Sequence, residues 1–282
     1  MPENRKLHEK MGGFKINDRG NFMESTKKYD ILRIDGENKN IVEDITVLEY
    51  PFTIFVDDEE IITLLCSPES LEYLAIGFLY SEGFIKNYSE IDNIGIDKKG
   101  GQAHIRLKFK KTFSGRLRWK KTITSGGGKG IEFYNTPDFL KPGKTIEPFN
   151  IYVHEIKELM EQFDKRSGLF HATGGVHACA ICNKNNIIYF EEDIGRHNAL
   201  DKVLGRALTD NMNFNDKMVL TSGRISSEML MKAVKRGIAV VISRSAPTSL
   251  AVQMARELNI VLAGFVRGEK MNIYSNFSSL KF

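Results

Sequence analysis

Gly237-Ile-Ala-Val-Val-Ile242, followed by Ser249 to Leu258 and then Ile260 to Phe265, is the stretch that decides the fold class. The outer runs are continuously apolar, and the span between them repeats its apolar residues at helical spacing. Strands that read as unbroken apolar runs are buried on both faces, and two of them joined through a helix make a parallel crossover. Working outward, Met218-Val-Leu220 reads as a further strand and Ser226 to Lys235 as a helix. His197 to Leu208 is helical, with Ala199, Leu200, Val203, Leu204 and Ala207 on one face. His171 to Cys182 and Ile187 to Phe190 read as buried strands about the turn Asn183-Lys-Asn-Asn186, and Asn150 to Phe163 as an amphipathic helix. This half is expected to be α/β, with both faces of its sheet covered.

The texture before it differs. Residues 1–40 are polar and read as a loose arm that joins a sheet near its end. Phe52-Thr-Ile-Phe-Val56 and Ile61-Ile-Thr-Leu-Leu65 read as strands joined by the acidic turn Asp57-Asp-Glu-Glu60. Ser67-Pro68 has the N-cap hydroxyl and first-turn proline that start a helix. Leu71, Leu74, Ala75, Phe78 and Leu79 continue that helix, and Gly83 closes it. Ile91 to Lys121 reads as short strands with cationic faces, and Thr122 to Gly130 as a glycine-rich loop. Thr136 to Pro148 holds three prolines and a glycine and is the linker candidate. The expected organisation is a polar arm over 1–40, a smaller α+β domain over 41–145, and the α/β domain over 146–282.

A chain of 282 residues with 41% hydrophobic and 27% charged residues buries a substantial core, which excludes disordered, collagen-like and coiled-coil classes. No apolar run approaches the ~18 residues of a membrane span, and the first ten residues show no leader pattern. Three cysteines make no disulfide framework, so a cytoplasmic location is expected and no membrane is expected as a partner. The net charge of +4 is unevenly placed: from Lys98 to Ile131 there are eleven Lys and Arg residues and no Asp or Glu. That window is either a solvated basic hairpin or an attractor of phosphate-bearing ligands. Aromatic interleaving there is thin (Phe109, Phe113, Trp119), so nucleic acid is not the expected partner.

Four polar, glycine-bearing stretches fall where strands of the α/β half end. They are Thr173-Gly-Gly175, Asp193 to Asn198, Thr221 to Ser227, and Ser243 to Ser249. Ligands of open α/β sheets sit at strand carboxyl ends, and Arg196, Arg224 and Arg244 together could grip a multiply charged anion. Cys179-Ala-Ile-Cys182 reads as half a zinc site, a redox pair, or two small buried residues. Strand alternation sends the two thiols to opposite faces, which argues against joint ligation. A zinc deaminase needs His-x-Glu and Pro-Cys-x-x-Cys, and His177-Ala-Cys179 lacks both the glutamate and the proline, so no metal is expected. Cys66, beside Ser67, reads as core. Thr124-Ser-Gly-Gly-Gly-Lys-Gly130 is not a Walker A loop, because no Ser or Thr follows its lysine.

Several of these words resemble the FdhD/NarQ family. They are Ala75-Ile-Gly-Phe-Leu-Tyr-Ser-Glu-Gly83, Phe170-His-Ala-Thr-Gly-Gly-Val-His177, Glu192 to Val203, Thr221-Ser-Gly-Arg224, Gly264-Phe-Val-Arg-Gly268 and Asn272-Ile-Tyr-Ser275. The resemblance implies a C-terminal three-layer α/β domain similar to a cytidine-deaminase core without its zinc chemistry. It implies a homodimer that passes sulfur from a cysteine desulfurase to the bis(molybdopterin guanine dinucleotide) molybdenum cofactor of formate dehydrogenase, with GDP or GTP as partial mimics of that cofactor. The guanine end is expected near Phe265, Val266, Arg267, Gly268, Glu269 and Lys270. The other expected binding residues are His177, Arg196, His197, Ser222, Arg224, Ser243 and Arg244.

One position departs from the family pattern. The family loop carries its persulfide on a cysteine, and here Gly127 stands at that position within Ser125 to Gly130. Glycine cannot hold sulfur, which leaves three readings: a cofactor-binding relative without sulfur relay, a substitute thiol (Cys182 before Cys179), or an artificial substitution.

Overall fold

Two hairpins open the part of the chain that the computed structural model describes, residues 25–109 and 149–282. In the first, β1 (Thr26–Asp35) pairs antiparallel with β2 (Asn38–Val47) along their full length. Gly36, at φ 60°, takes the first of two turn residues, a place that a type II′ turn reserves for glycine. The boundary expected between residues 40 and 41 therefore falls inside β2, and the end of the supposed arm is a complete strand. In the second hairpin, β3 (Tyr50–Val56) meets β4 (Glu59–Cys66) across Asp57 and Asp58, both at positive φ as a type I′ turn requires.

The helix expected at Ser67-Pro68 begins later: α1 spans Leu71–Ser81, and Gly83 follows it at φ 81°. Ser67 is drawn elsewhere, its N–H donating 3.0 Å to Asp193 Oδ2 and its carbonyl accepting 3.2 Å from Lys202 Nζ. β5 (Ile91–Asp97) and β6 (Gln102–Leu107) complete a four-stranded sheet in the order β4-β3-β6-β5. The linker candidate, the glycine-rich loop and most of the basic window lie outside the described residues.

Beyond them, β7 (Ile151–Tyr152) leads into α2 (Val153–Arg166). The expected strand from His171 is shorter than the sequence suggests: residues 168–173 form the short helix α3 (Gly168–Thr173), and β8 covers only His177–Cys182. Then follow β9 (Ile187–Asp193), α4 (Arg196–Thr209), β10 (Met218–Thr221), α5 (Ser227–Val234), β11 (Val240–Ser243), α6 (Ser249–Glu257), β12 (Val261–Arg267) and β13 (Lys270–Ser275). A last short strand, β14 (Leu280–Lys281), pairs with β7. The six-stranded sheet has the order β13-β12-β11-β10-β8-β9, with β10, β11 and β12 parallel. The fold is mixed α/β.

Side chains sort by sheet face. Ala178, Ala180, Cys182, Leu220 and Ile242 face Ile156, Leu159 and Phe163 of α2. Cys179, Ile181, Val219, Val241 and Leu262 face α4, α5 and α6 in a second core that continues through α1 into the four-stranded sheet. That second core joins the two halves of the sequence. Its closest point is the crossing of α1 and α4, where a Cβ on Gly77 would stand 1.7 Å from the carbonyl oxygen of Asp201 and one on Gly205 2.0 Å from that of Tyr73. Only glycine lets the backbones meet there.

A buried ion pair ties the same seam. Lys202 Nζ lies 2.7 Å from Asp193 Oδ2, both side chains being 0% exposed. Asp193 Oδ1 also accepts from Gly195 N–H (2.8 Å) and Asn198 Nδ2 (2.9 Å), and Asn198 Nδ2 reaches the Leu65 carbonyl at 2.8 Å. A charge pair removed from water is tolerated only when its remaining lone pairs and protons are satisfied, as they are here.

Candidate functional site

The parallel strands end in polar residues, and those residues lace their own loops together. Ser243 Oγ, at the end of β11, donates 2.7 Å to the Gly223 carbonyl and accepts 2.9 Å from Ser245 N–H. Ser245 Oγ donates 2.9 Å to the Ser222 carbonyl. Ser226 and Thr248 cap α5 and α6 by accepting from Met229 N–H and Ala251 N–H. The loops after β10 and β11 thus form a rigid rim, with the N-termini of two helices beside it.

A cavity of about 380 Å³ opens there, a size that takes a small-molecule ligand. His177, Ser222, Arg244 and Arg267 line it, with Phe163 and Phe170 on the wall formed by α2 and α3. Ser222 Oγ accepts 2.9 Å from Ala178 N–H and lies 3.5 Å from His177 Nδ1. Burial, reinforced by the charges of Arg196 and Arg224 and opposed by Asp193, holds the His177 pKa below its usual value, so the ring is neutral at neutral pH. Burial and then the charge of Arg224 likewise lower the pKa of Arg196. Neither Arg196 nor Arg224 lines the cavity. Arg244 Nη1 is 2.7 Å from Asp164 Oδ1, and Arg267 Nε donates to the Arg244 carbonyl at 3.4 Å.

Other expected binding residues do not face this cavity. Val266 is core, and Ser243 is 0% exposed with its hydroxyl already engaged. Glu269 pairs with Lys157 of α2. His197 Nε2 lies 3.0 Å from Glu228 Oε2, turned toward α5. Arg224 and Lys270 are exposed, and Gly268 makes the β12–β13 turn at φ 53°. Phe265 is 42% exposed and strained at φ 54°, with its N–H donating to the Ser245 carbonyl. The sequence reading did not name Phe163 or Phe170 as site residues; the available signal for Phe170 was a large aromatic three residues before Thr173-Gly-Gly175.

The thiols are the plainest chemical fact of the molecule. All three cysteines of the chain are buried and free. Burial pushes the pKa of Cys66, Cys179 and Cys182 up to about 12 in each case. Cys179 and Cys182 face opposite sides of the sheet, as alternation requires. Among the described residues no cluster of three or more His, Cys, Asp or Glu could hold a metal ion, and no helix is long and apolar enough to cross a membrane. Gly127 lies outside the described residues.

The sequence profile of the FdhD/NarQ family matches residues 47–281. The chain belongs to the FdhD/NarQ family. Among its curated members, the sulfur carrier protein FdhD of Listeria innocua is 42% identical over 260 residues, covering 92% of this chain and 100% of its own length. The protein of the same name from Bacillus subtilis is 42% identical over 247 residues, covering 88% and 94%. A crystal structure from Desulfotalea psychrophila, described as a formate dehydrogenase accessory protein, superposes with a TM-score of 0.73 at 25% identity, covering 91% of this chain and 99% of that one. FdhD/NarQ membership gives the words Glu192 to Val203 a second meaning, since Asp193, Asn198 and Lys202 are the buried lock between the sequence halves rather than ligand contacts.

Proposed function

We propose that the chain is a sulfur-carrier-type accessory protein for formate dehydrogenase. Its own part is to hold the bis(molybdopterin guanine dinucleotide) molybdenum cofactor while sulfur from a cysteine desulfurase reaches the metal. The observation that carries this is the cavity at the carboxyl ends of β10, β11 and β12, where Arg244, Arg267, His177 and Ser222 converge in a family whose curated members are named sulfur carriers. Guanidinium groups and a hydroxyl suit the pyrophosphate of a dinucleotide. At about 380 Å³ the cavity admits one nucleotide end of such a cargo, and the remainder must lie across the rim.

The three thiols favour a carrier that does not hold the sulfur on a cysteine of its own. Persulfide formation requires a thiolate. A thiol whose pKa is about 12 is ionised to about one part in 10⁵ at pH 7, and Cys182 has no exposed surface for a desulfurase to approach. The relatives' name favours a relay instead, so the two forms of the proposal part at Gly127.

Two measurements test them. Calorimetric titration with GDP is expected to show micromolar or tighter binding, weakened about 10- to 100-fold in Arg267→Ala by the loss of a charge-assisted hydrogen bond; no binding at millimolar GDP would refute cofactor holding. Incubation with a cysteine desulfurase and cysteine is expected to leave the unaltered chain without a roughly +32 Da adduct (one sulfur atom on a thiol) and to load Gly127→Cys. An adduct on Cys182 would overturn the thiol argument.

A further inference from the structure

Arg244 enters the cavity with its backbone already fixed. Its N–H donates 3.1 Å to the Thr221 carbonyl at the end of β10. Its own carbonyl accepts from Arg267 Nε at 3.4 Å. Those bonds place the Cα, but the long side chain beyond it would still choose among rotamers. The contact with α2 removes that freedom: Arg244 Nη1 donates 2.7 Å to Asp164 Oδ1. Asp164 is not among the residues that line the cavity, so it stands behind Arg244 rather than beside a bound anion.

A carboxylate is out of place there on local grounds. Asp164 falls in the last turn of α2, beside Lys165 and Arg166, where the helix dipole favours cations and opposes a negative charge. Nor is the pair suited to holding the fold. Its side chains are 35% and 37% exposed, and ion pairs that water reaches contribute little stability. The carboxylate is not needed to dock α3 either. His171 Nε2 lies 2.9 Å from the Asp164 backbone carbonyl, a group that any residue supplies. What the Asp164 side chain adds is a fixed acceptor for one edge of the guanidinium, whose remaining N–H donors are left for a ligand.

We infer that Asp164 is a positioning residue for anion binding: its carboxylate anchors the Arg244 guanidinium against α2 and presets the other donors toward the ligand's phosphates. This rests on the reading that the cavity takes a phosphate-bearing ligand. The anchor carries its own counterweight, because a negative charge one side chain away from bound phosphate lowers the affinity. Orienting the cation and repelling the anion act in opposite directions. They separate in variants that share one charge but differ in the acceptor.

Inorganic pyrophosphate, titrated calorimetrically into the full chain, is the probe. Asp164→Asn and Asp164→Ala both remove the charge, but only asparagine keeps an oxygen in the place of Oδ1, so the ratio of their affinities isolates positioning. Ordering one long side chain on binding is worth about 3- to 10-fold in affinity, and Asp164→Ala is expected to bind more weakly than Asp164→Asn by that factor. Asp164→Asn should bind at least as tightly as the unaltered chain. In an Arg244→Ala background the two Asp164 variants should bind alike, since the anchor then has nothing to hold. Both should melt within about 2 °C of the unaltered chain, as loss of a half-exposed pair allows. Equal affinities in Asp164→Asn and Asp164→Ala would overturn the inference. So would a ratio that persists without Arg244, or a large fall in Tm in Asp164→Ala alone, the mark of a structural role. If the unaltered chain and Arg244→Ala bind pyrophosphate equally well, the inference fails while the cavity reading survives through Arg267. No pyrophosphate binding by the unaltered chain at millimolar concentration would remove the cavity reading and the inference with it.

Discussion

Replacing Gly77 by alanine tests the seam on which the site is built. The added Cβ would stand 1.7 Å from the Asp201 carbonyl oxygen, 2.5 Å from its carbon and 2.9 Å from Gly205 N. An ordinary contact needs about 3.5 Å, so α1 and α4 would have to separate by roughly 1.5–2 Å, and every atom near it is backbone that cannot rotate away. A radial gap of 0.5–1 Å already forfeits a quarter to a half of each contact along the crossing, and that crossing is lined by fully buried Leu74, Leu200 and Leu204. Overpacking of this severity costs about 3–4 kcal/mol. Alanine returns about 1 kcal/mol of helix propensity, leaving a net loss of about 2–3 kcal/mol. At roughly 2–4 °C per kcal/mol for a domain of this size, Tm should fall by about 4–12 °C. Thermal unfolding followed by circular dichroism reads the change, with Gly95→Ala, whose Cβ meets nothing within 4 Å, as the control. A Gly77→Ala protein melting within about 2 °C of the unaltered chain would refute the claim that the helices touch backbone to backbone.

Two other perturbations probe the polar interior. Lys202→Met leaves Asp193 charged and unpaired in the core and should lower stability by about 3–5 kcal/mol in urea unfolding; a loss under about 1 kcal/mol would mean that water reaches the pair. His177, whose pKa is lowered in the folded state, should make stability fall as pH drops below about 6.5, because the unfolded chain takes up the proton first. The raised pKa values of Asp201 and Glu191 act in the opposite sense, so the informative quantity is the difference between unaltered and His177→Gln urea midpoints at about pH 7 and about pH 5. An identical pH profile in the two proteins would show that the imidazole is not held neutral by its surroundings.

What the sequence revealed and what it hid follow from how far each residue's partners lie along the chain. The strands near 240 and 261 were legible because a strand buried on both faces must be apolar throughout, a local property. Ser67-Pro68 misled because the Ser67 backbone is held by Asp193 and Lys202, more than a hundred residues away, which draws it into the seam ahead of the helix. The strand expected from His171 became α3 because Glu192, on a different strand, satisfies the N–H groups that a six-residue helix cannot. The β1–β2 hairpin was signalled by Gly36-Glu37, a Gly-first turn between the two runs, which the polar composition obscured. At the site, Ser222 and Arg244 were legible as strand-end chemistry, whereas His177 and Arg267 were expected only from the resemblance to the family. Val266, Ser243, Glu269 and His197 lie off the cavity, because a motif word does not say which of its side chains turn inward, as Val266 and Ser243 do, or pair elsewhere, as exposed Glu269 does with Lys157 and His197 with Glu228.

The account stands most directly on where a nucleotide sits. A crystal of the full chain soaked in GDP should show the nucleotide in the cavity at the ends of β10, β11 and β12, with its phosphates against Arg244 and Arg267. Ordered GDP elsewhere on the molecule, with that cavity filled only by water, would contradict it.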